Sequence, residues 1–171
     1  WKEINNMKSI VLILLTLLFS TGDSLKIDFK GFTKKLDLNL IPINNADSIL
    51  SKTYLEKHDI EALKILAKNY QAEPVDDDDI VVFETSRGIM KLKLFHKIAP
   101  NHCNNFKKLA NSGFYDETYF HRIIRNFMVQ GGDINTRDSD SSNDGTGNPG
   151  WLIDEEFNEI KHVKGILSMA R

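Results

Sequence analysis

Two β-type runs joined by a two-residue turn constrain the fold of this chain more than any other feature. The runs, IVVFETS and IMKLKLFH, begin at Ile80 and are separated by Arg87 and Gly88, the kind of break that a hairpin needs. A helix is predicted next, opening at Pro100 in the favoured first-turn position and ending at Gly113 in a left-handed cap. Further strand-like runs follow: TYFHRII, FMVQGG and GILSMA. This part of the chain is therefore predicted to be mainly β with helices.

Residues 23–79 carry a different pattern. From Asp59 to Tyr70 the apolar residues recur at helical spacing, with Asp59 available as the N-cap. A shorter helix is predicted from about Asp47 to Glu56. We interpret the two helices as a structural extension, and a partner-docking or dimerising element is the alternative. The segment Glu73–Asp79 is predicted to be an acidic linker whose four adjacent aspartates repel one another and stay solvated.

The first residues resemble a secretory signal. Met7–Gly22 has a basic start, a short apolar run from Ile10 to Phe19, and small residues for cleavage. The run is shorter than the roughly 20 apolar residues that span a bilayer, so no stable membrane insertion is expected after cleavage. We expect export, to the periplasm or the secretory pathway; a buried core strand or helix is the alternative. Three regions result: residues 1–22, 23–79 and 80–171.

Composition excludes several classes of function. Hydrophobic residues make up 41% and charged residues 27% of the 171 residues, and the formal charge is −2. Such a composition is typical of a soluble globular protein, and without a Lys/Arg block no nucleic-acid partner is expected. The single cysteine, Cys103, excludes an intramolecular disulfide and a multi-cysteine zinc site. We interpret Cys103 as an inert, partly buried thiol, and the oligomeric state is left open.

A polar loop contains two motifs that are discounted. The sequence GTGNPG, Gly145–Gly150, matches a dinucleotide-binding pattern but neither follows a strand nor opens a helix. Asp138–Gly145 resembles half of a calcium loop, but Trp151 stands where a bidentate glutamate belongs. A solvated turn is the preferred interpretation, and calcium binding remains the alternative. No metal and no cofactor are predicted.

The stretch FHRIIRNFMVQGGD, from Phe120 to Asp133, predicts a hairpin with an unusual face. Its three-residue turn is predicted to consist of Arg125, Asn126 and Phe127, since Asn tolerates the left-handed conformation that such turns need. Residues directly opposite each other on the two strands then share a face. One face therefore carries Arg122, Ile124, Met128 and Gln130. Ile123 and Val129 are expected to point toward a core. Gln130 can accept a hydrogen bond from the guanidinium of Arg122 and orient it; an ordinary solvated pair is the alternative.

This stretch resembles the signature of the cyclophilin-type peptidyl-prolyl cis–trans isomerases. The segment from VVFETSRGIMKLKLF through YFHRI is similar to the family's opening strands and first helix, and GTGNPGW, DEEF and GILSMA are similar to later segments, in order. The resemblance covers residues 80–171. It implies a cyclophilin-like closed antiparallel β-barrel, incomplete in this chain and preceded by the small helical extension.

The resemblance also implies roles for particular residues. Arg122 corresponds to the catalytic arginine, and Gln130 would bind the substrate backbone and position it. The remaining substrate-binding positions would line or approach the proline groove: Phe127, Met128, Ala170, Ile124, Gly145 and Thr146. The implied function is isomerisation of Xaa-Pro bonds in exported or folding proteins. Proline-containing peptides and unfolded proteins are the expected partners, and a non-catalytic proline-peptide-binding or chaperone module is the alternative.

The chain departs from the family pattern in several places. Arg125 and Asn126 stand where many members have Pro-Gly, and the acidic loop after Asp133 is longer than in compact members. The family's remaining strands, pocket aromatics and pocket histidine have no counterpart before Arg171. We therefore expect residues 23–171 alone to be inactive and to aggregate or stay partly molten.

Overall fold

A computed structural model of the chain describes residues 10–14, 27–28 and 46–170. Most of the predicted signal peptide therefore lies outside the described residues. In chain order the helices and strands are β1 (Ile10–Leu14), β2 (Ile27–Asp28), α1 (Ala46–Leu50), α2 (Lys57–Asn69), β3 (Ile80–Thr85), β4 (Gly88–Lys93), α3 (Pro100–Asn111), β5 (Arg122–Ile124), β6 (Met128–Gly131) and β7 (Ile166–Ala170). Two 3-10 helices, Ile134–Arg137 and Ser141–Asn143, lie between β6 and β7. Within this described part, no helix is long and apolar enough to cross a membrane.

The described strands form two antiparallel sheets. One has four strands in the order β5-β6-β1-β7, and the other has three in the order β2-β3-β4. The predicted hairpin around Arg87 and Gly88 is confirmed, since β3 and β4 pair from Ile80 opposite Lys93 to Thr85 opposite Gly88. The described residues form no closed barrel, which is consistent with an incomplete form of the expected fold.

β1 lies in the interior of the four-stranded sheet. It comes from the apolar run that the signal-peptide prediction also uses, and it pairs with β6 on one side and β7 on the other. This placement corresponds to the alternative interpretation of the run as a core strand. Signal cleavage near Gly22 stays a prediction, and it would remove β1 from this sheet.

The helical extension begins with a short helix and continues into α2. The helix predicted from Asp47 to Glu56 is shorter than expected, because α1 ends at Leu50. Asp59 is not the N-cap of α2: the N-cap is Glu56, and Asp59 stands three residues later in a capping box, accepting the backbone N–H of Glu56 at 3.0 Å. The apolar face predicted from the helical spacing is confirmed, since Leu63 and its neighbours on that face are buried.

α3 has the ends that its sequence predicts. Pro100 occupies its first turn, and Gly113 follows its end with a φ of 74°. The first free N–H groups of the helix donate to the carboxylate of Glu156, at 3.0 Å from Asn101 and 2.8 Å from His102. Burial acts to raise the pKa of Glu156, but these donors and the His102 ring outweigh it, so the pKa is lowered. A distant carboxylate thus supplies the cap that the local sequence lacks.

One hydrophobic core joins the helical extension to the later strands and α3. Leu63 of α2 and Phe83 of β3 are both fully buried in it. The ring of Phe106 lies 6.2 Å from that of Phe83 and 5.3 Å from that of Tyr115, measured between centroids. Because one hydrophobic cluster includes residues from both regions, residues 46–79 share a core with residues 80–170 and do not form a separate appendage.

Ion pairs hold the acidic linker, Glu73–Asp79, against α3 and the segment that precedes it. Asp79 pairs with Lys107 at 2.5 Å and its side chain is only 13% exposed, while Asp77 pairs with Lys97 at 2.5 Å. The prediction that all four aspartates stay solvated is therefore wrong for Asp79. Lys107 is itself buried on α3, so the ion pair neutralises a charge that burial would otherwise make costly.

Candidate active site

The hairpin β5–β6 has the register that its sequence predicts. Arg122 lies opposite Gln130 and Ile124 opposite Met128, which places these four residues on one face. Asn126 has a φ of 61°, the left-handed conformation expected at the turn, and Phe127 N–H donates to the carbonyl of Ile124 at 3.1 Å. The pairing of the two strands is thus confirmed, while the hydrogen bond between the Arg122 and Gln130 side chains stays a prediction.

The two strands of this hairpin differ sharply in burial. Every residue of β5 is exposed and every residue of β6 is buried. Met128 and Gln130 are 2% and 8% exposed, whereas Phe127 at the rim is 55% exposed. The expectation that Ile123 points into a core is wrong, because its side chain is 52% exposed; only its partner Val129 belongs to the core cluster. The hairpin therefore presents a cation and apolar surface beside a buried amide.

Ala170 lies on the same face of the sheet as Gln130. Leu12 of β1 stands opposite Gln130 on one side and opposite Ser168 of β7 on the other, so Gln130 and Ser168 share a row across the sheet. Ala170 is two residues beyond Ser168 and faces the same way. The sheet thus places the predicted arginine, glutamine and alanine on one of its faces.

Gly145 and Thr146 are tied to the end of β6 by a buried carboxylate. Asp133, which is 1% exposed, accepts hydrogen bonds from the backbone N–H groups of Asn135, at 2.8 Å, and Gly145. The Asn135 side chain donates to the Thr146 hydroxyl at 3.1 Å. These bonds hold the Gly145–Thr146 turn against the segment that follows Gln130.

Gly147 and His121 also lie beside the Gly145–Thr146 turn and Asp133. Neither residue was identified from the sequence as part of the site. A Cβ on Gly147 would lie 1.9 Å from the Asp133 carboxylate, so a side chain cannot fit there. His121 precedes Arg122, and its ring lies 3.5 Å from where a Cβ on Gly145 would be. Burial lowers the pKa of His121, against the opposing charges of Asp133 and Asp144. The sequence signal for them is the pair of glycine motifs GGD, Gly131–Asp133, and GTG, Gly145–Gly147.

The arrangement suits binding and electrostatic stabilisation rather than covalent chemistry. Cys103 is buried on α3, and burial first, then the charge of Glu156, raises its pKa to about 11; the predicted burial is confirmed, and the raised pKa favours an inert thiol. Asp140 accepts the N–H and hydroxyl of Ser142 within its own turn. Among residues 10–14, 27–28 and 46–170, no group of three or more His, Cys, Asp or Glu side chains could hold a metal ion.

Comparison with known proteins matches this region to one family. The family model for cyclophilin type peptidyl-prolyl cis-trans isomerases matches residues 80–171. The chain belongs to this family. Its cyclophilin-type region carries all the positions discussed above, from the β3–β4 hairpin to Ala170.

Curated relatives support the same conclusion. A peptidyl-prolyl cis-trans isomerase of Synechococcus elongatus is 44% identical over 89 residues, covering 52% of this chain and 57% of that protein. The peptidyl-prolyl cis-trans isomerase-like 1 proteins of Gibberella zeae and Homo sapiens are 46% and 44% identical over 97 residues, covering 53% of this chain and 54% and 53% of theirs. The chain spans about half the length of these cyclophilin-type relatives. No solved structure matches it.

Proposed function

We propose that the protein is a peptidyl-prolyl cis–trans isomerase in which Arg122 stabilises the twisted Xaa-Pro amide of exported or folding proteins. The observation that carries the proposal is the register of the β5–β6 hairpin, which sets Arg122 opposite Gln130 and Ile124 opposite Met128. Family membership of residues 80–171 supports the reaction class.

The chemistry of this rotation fits these side chains. Xaa-Pro bonds isomerise over tens to hundreds of seconds because amide resonance must be broken. As the bond twists, the proline nitrogen loses conjugation, and a guanidinium aimed at it stabilises the freed lone pair. The apolar side chains of Phe127 and Met128 would grip the proline ring and exclude water. No nucleophile, metal or cofactor is needed for this step.

Magnitudes indicate how much of the rate Arg122 supplies. A hydrogen bond from a charged donor contributes about 1.5–3 kcal/mol, and each tenfold in rate requires about 1.36 kcal/mol. Arg122 alone therefore accounts for one or two decades. The remainder comes from binding and desolvation that favour the twisted state over the planar one.

Substitution of Arg122 in the full-length protein tests the catalytic role. Arg122→Ala should lower kcat/KM on a Xaa-Pro peptide by one or more decades while circular dichroism stays native. Arg122→Lys should also be poor, because an ammonium cannot copy the planar fork of a guanidinium. The matched control is Arg125→Ala, an exposed arginine of the hairpin turn, which should keep nearly full turnover. Unchanged turnover in Arg122→Ala would sink the assignment.

The competing function is a proline-peptide-binding module without useful turnover. The presence of Arg122 opposite Gln130 argues against it, because a groove that only grips proline needs apolar walls and no cation. A wild-type protein that binds proline peptides but leaves their isomerisation rate unchanged would establish the module instead.

We also propose that the protein is exported, on the support of the Met7–Gly22 pattern. The test is N-terminal sequencing of protein made in a secreting host, which should find a start near Asp23. Retention of Met7 on a soluble cytosolic product would contradict export and would favour β1 as a permanent strand.

A further inference from the structure

The contact between the helical extension and the loop beside the groove is concentrated at Arg137. This residue ends the first 3-10 helix, four residues after Asp133, and it is 1% exposed. Its carbonyl accepts the N–H of Leu55 at 2.8 Å, and its guanidinium donates to the carbonyl of Lys52 at 2.6 Å. Arg137 therefore holds the connection between α1 and α2 through both its backbone and its side chain.

Burial of the Arg137 guanidinium costs free energy, because a buried charge loses its hydration. Nε and Nη1 of Arg137 are buried without a hydrogen-bond partner. Burial lowers the pKa of Arg137, and the nearby carboxylates of Glu117 and Asp116 oppose that effect. A buried charge with one hydrogen bond is a weak source of stability, since an apolar side chain of similar volume often does as well.

The extension side of this contact is firmly held. The backbone carbonyl of Lys52 accepts the Arg137 guanidinium, and its ammonium donates to Asp59, lying 2.8 Å from each carboxylate oxygen. Asp59 is 2% exposed and also accepts the N–H of Glu56 in the capping box of α2. Burial acts to raise the pKa of Asp59, but the Lys52 and Glu56 donors outweigh it, and the pKa is lowered. The segment 52–59 is thus a fixed support.

The Gly145–Thr146 turn is held by the same 3-10 helix, Ile134–Arg137. Asp133 caps the N-terminus of the 3-10 helix that Arg137 ends, and its carboxylate also accepts the N–H of Gly145. Asn135, between them, bonds to Thr146. One turn of helix therefore connects the extension to the Gly145–Thr146 turn.

We propose that Arg137 is a positioning residue through which the helical extension sets the place of the Gly145–Thr146 turn, and with it the enzyme's preference for the residues flanking proline. This inference rests on the proposed function for its effect on substrate. It assigns Arg137 no part in the rotation itself, which belongs to the hairpin face around Arg122.

The test compares three variants of the full-length protein. Arg137→Met removes the guanidinium and keeps most of the apolar stem. Arg137→Lys keeps a cation with a donor for the Lys52 carbonyl. Lys57→Met, an exposed lysine at the start of α2, is the matched control for loss of a cation in the extension.

Two measurements are made on each variant, and neither requires turnover. Amide hydrogen exchange of Leu55 and Gly145 is followed by NMR, and dissociation constants are measured for a peptide series that varies the residues on either side of proline. In Arg137→Met we expect exchange at both amides to rise at least tenfold and the ranking of peptides to change by severalfold. In Arg137→Lys the amide exchange rates and the peptide ranking should lie closer to those of the wild type. Lys57→Met should change neither the exchange rates nor the ranking. A separate turnover assay on Arg137→Met should show a changed KM with kcat within about twofold of the wild type.

The outcomes separate this inference from the proposed function. Faster exchange at Leu55 with unchanged exchange at Gly145 and an unchanged peptide ranking overturns the inference, because Arg137 then only fastens the extension. If Arg137→Met does not fold, the same comparison made on Arg137→Lys decides. A wild-type protein without isomerase turnover refutes the proposed function alone, since exchange and peptide affinity still report on the coupling.

Discussion

The helical segment 46–79 and the β5–β6 hairpin use apolar residues in opposite ways. On α2, Leu63 is fully buried in the common core, and the buried carboxylate of Asp59 is satisfied by Lys52. On the hairpin, Ile124 and Phe127 are 38% and 55% exposed beside the cation of Arg122. The first region stabilises the molecule, and the second leaves surface available for a ligand.

This difference in burial predicts that stability and activity depend on different regions of the molecule. Exposed apolar side chains clustered with a polar group mark a binding surface more often than a structural one, whereas a fully buried leucine has no such role. Changes in α2 should therefore alter the free energy of unfolding, and changes on the hairpin face should alter turnover. The predictions below test that division, beginning with the largest effect.

Removal of residues 1–22 should have the largest effect if the apolar run is a permanent strand rather than a cleaved signal, because it takes β1 out of the four-stranded sheet. β6 and β7 each pair with β1, so each would lose hydrogen-bonded partners and gain an open edge that invites association. Domain stability is only about 5–15 kcal/mol, which such a loss can erase. We expect residues 23–171, expressed alone, to be inactive and to aggregate or stay partly molten.

The control for this prediction is the chain 1–171 prepared in parallel. Size exclusion, thermal melting and a prolyl-isomerisation assay are run on both. A monomeric 23–171 with a cooperative melt and normal turnover would contradict the prediction and favour signal cleavage over β1 as a permanent strand.

Substitution of Leu63 should have the next largest effect. Leu63→Ala is expected to cost about 2–5 kcal/mol of unfolding free energy, because the residue is fully buried in the core that also holds Phe83. The matched control is Ile65→Ala two residues later, where the residue is 54% exposed and the cost should stay within about 0.5 kcal/mol. Denaturant unfolding measures both. Equal small effects would mean that the extension is an independent appendage.

Titration of His121 should produce the smallest effect. Burial lowers its pKa below the ordinary value of 6.5, while Asp133 and Asp144 oppose the shift and Arg122 adds to it. The unfolded chain then binds a proton more readily than the folded one, so this contribution to stability is present above about pH 6.5 and is lost as the pH falls below it.

The measurement is the change in melting temperature between pH 7.5 and pH 5.5 for the wild type and for His121→Gln. The four other histidines contribute to both proteins, so the difference between the two reports on His121. The wild type should lose more on acidification. A larger loss in His121→Gln would reverse the assigned sign.

The hairpin could be predicted because its determinants are local. Alternation along two short strands and one asparagine able to adopt a positive φ fix the pairing of Arg122 with Gln130. Burial was less predictable: Ile123 has the right alternation for the core, but β5 is an edge strand of its sheet and the residue stays exposed. Alternation assigns a face, and only tertiary packing decides whether that face is covered.

The long-range contacts made by Arg137 and Glu156 could not be predicted from local pattern. Arg137 meets Lys52 across 85 residues of chain, and Glu156 caps α3 across more than fifty. Neither pair has a spacing rule that would reveal it. The run containing β1 is ambiguous for a different reason, since a short apolar segment fits both a signal peptide and a buried strand.

Exchange NMR on a Xaa-Pro peptide tests the central claim most directly, because it reads the cis and trans populations and their rate of interconversion without a coupled reaction. The full-length protein at catalytic concentration should accelerate interconversion, and Arg122→Ala should slow it at least tenfold while the dissociation constant for the peptide changes by less than about threefold. Interconversion by Arg122→Ala at the wild-type rate would contradict the account, since the hairpin face would then bind proline without stabilising the twisted amide.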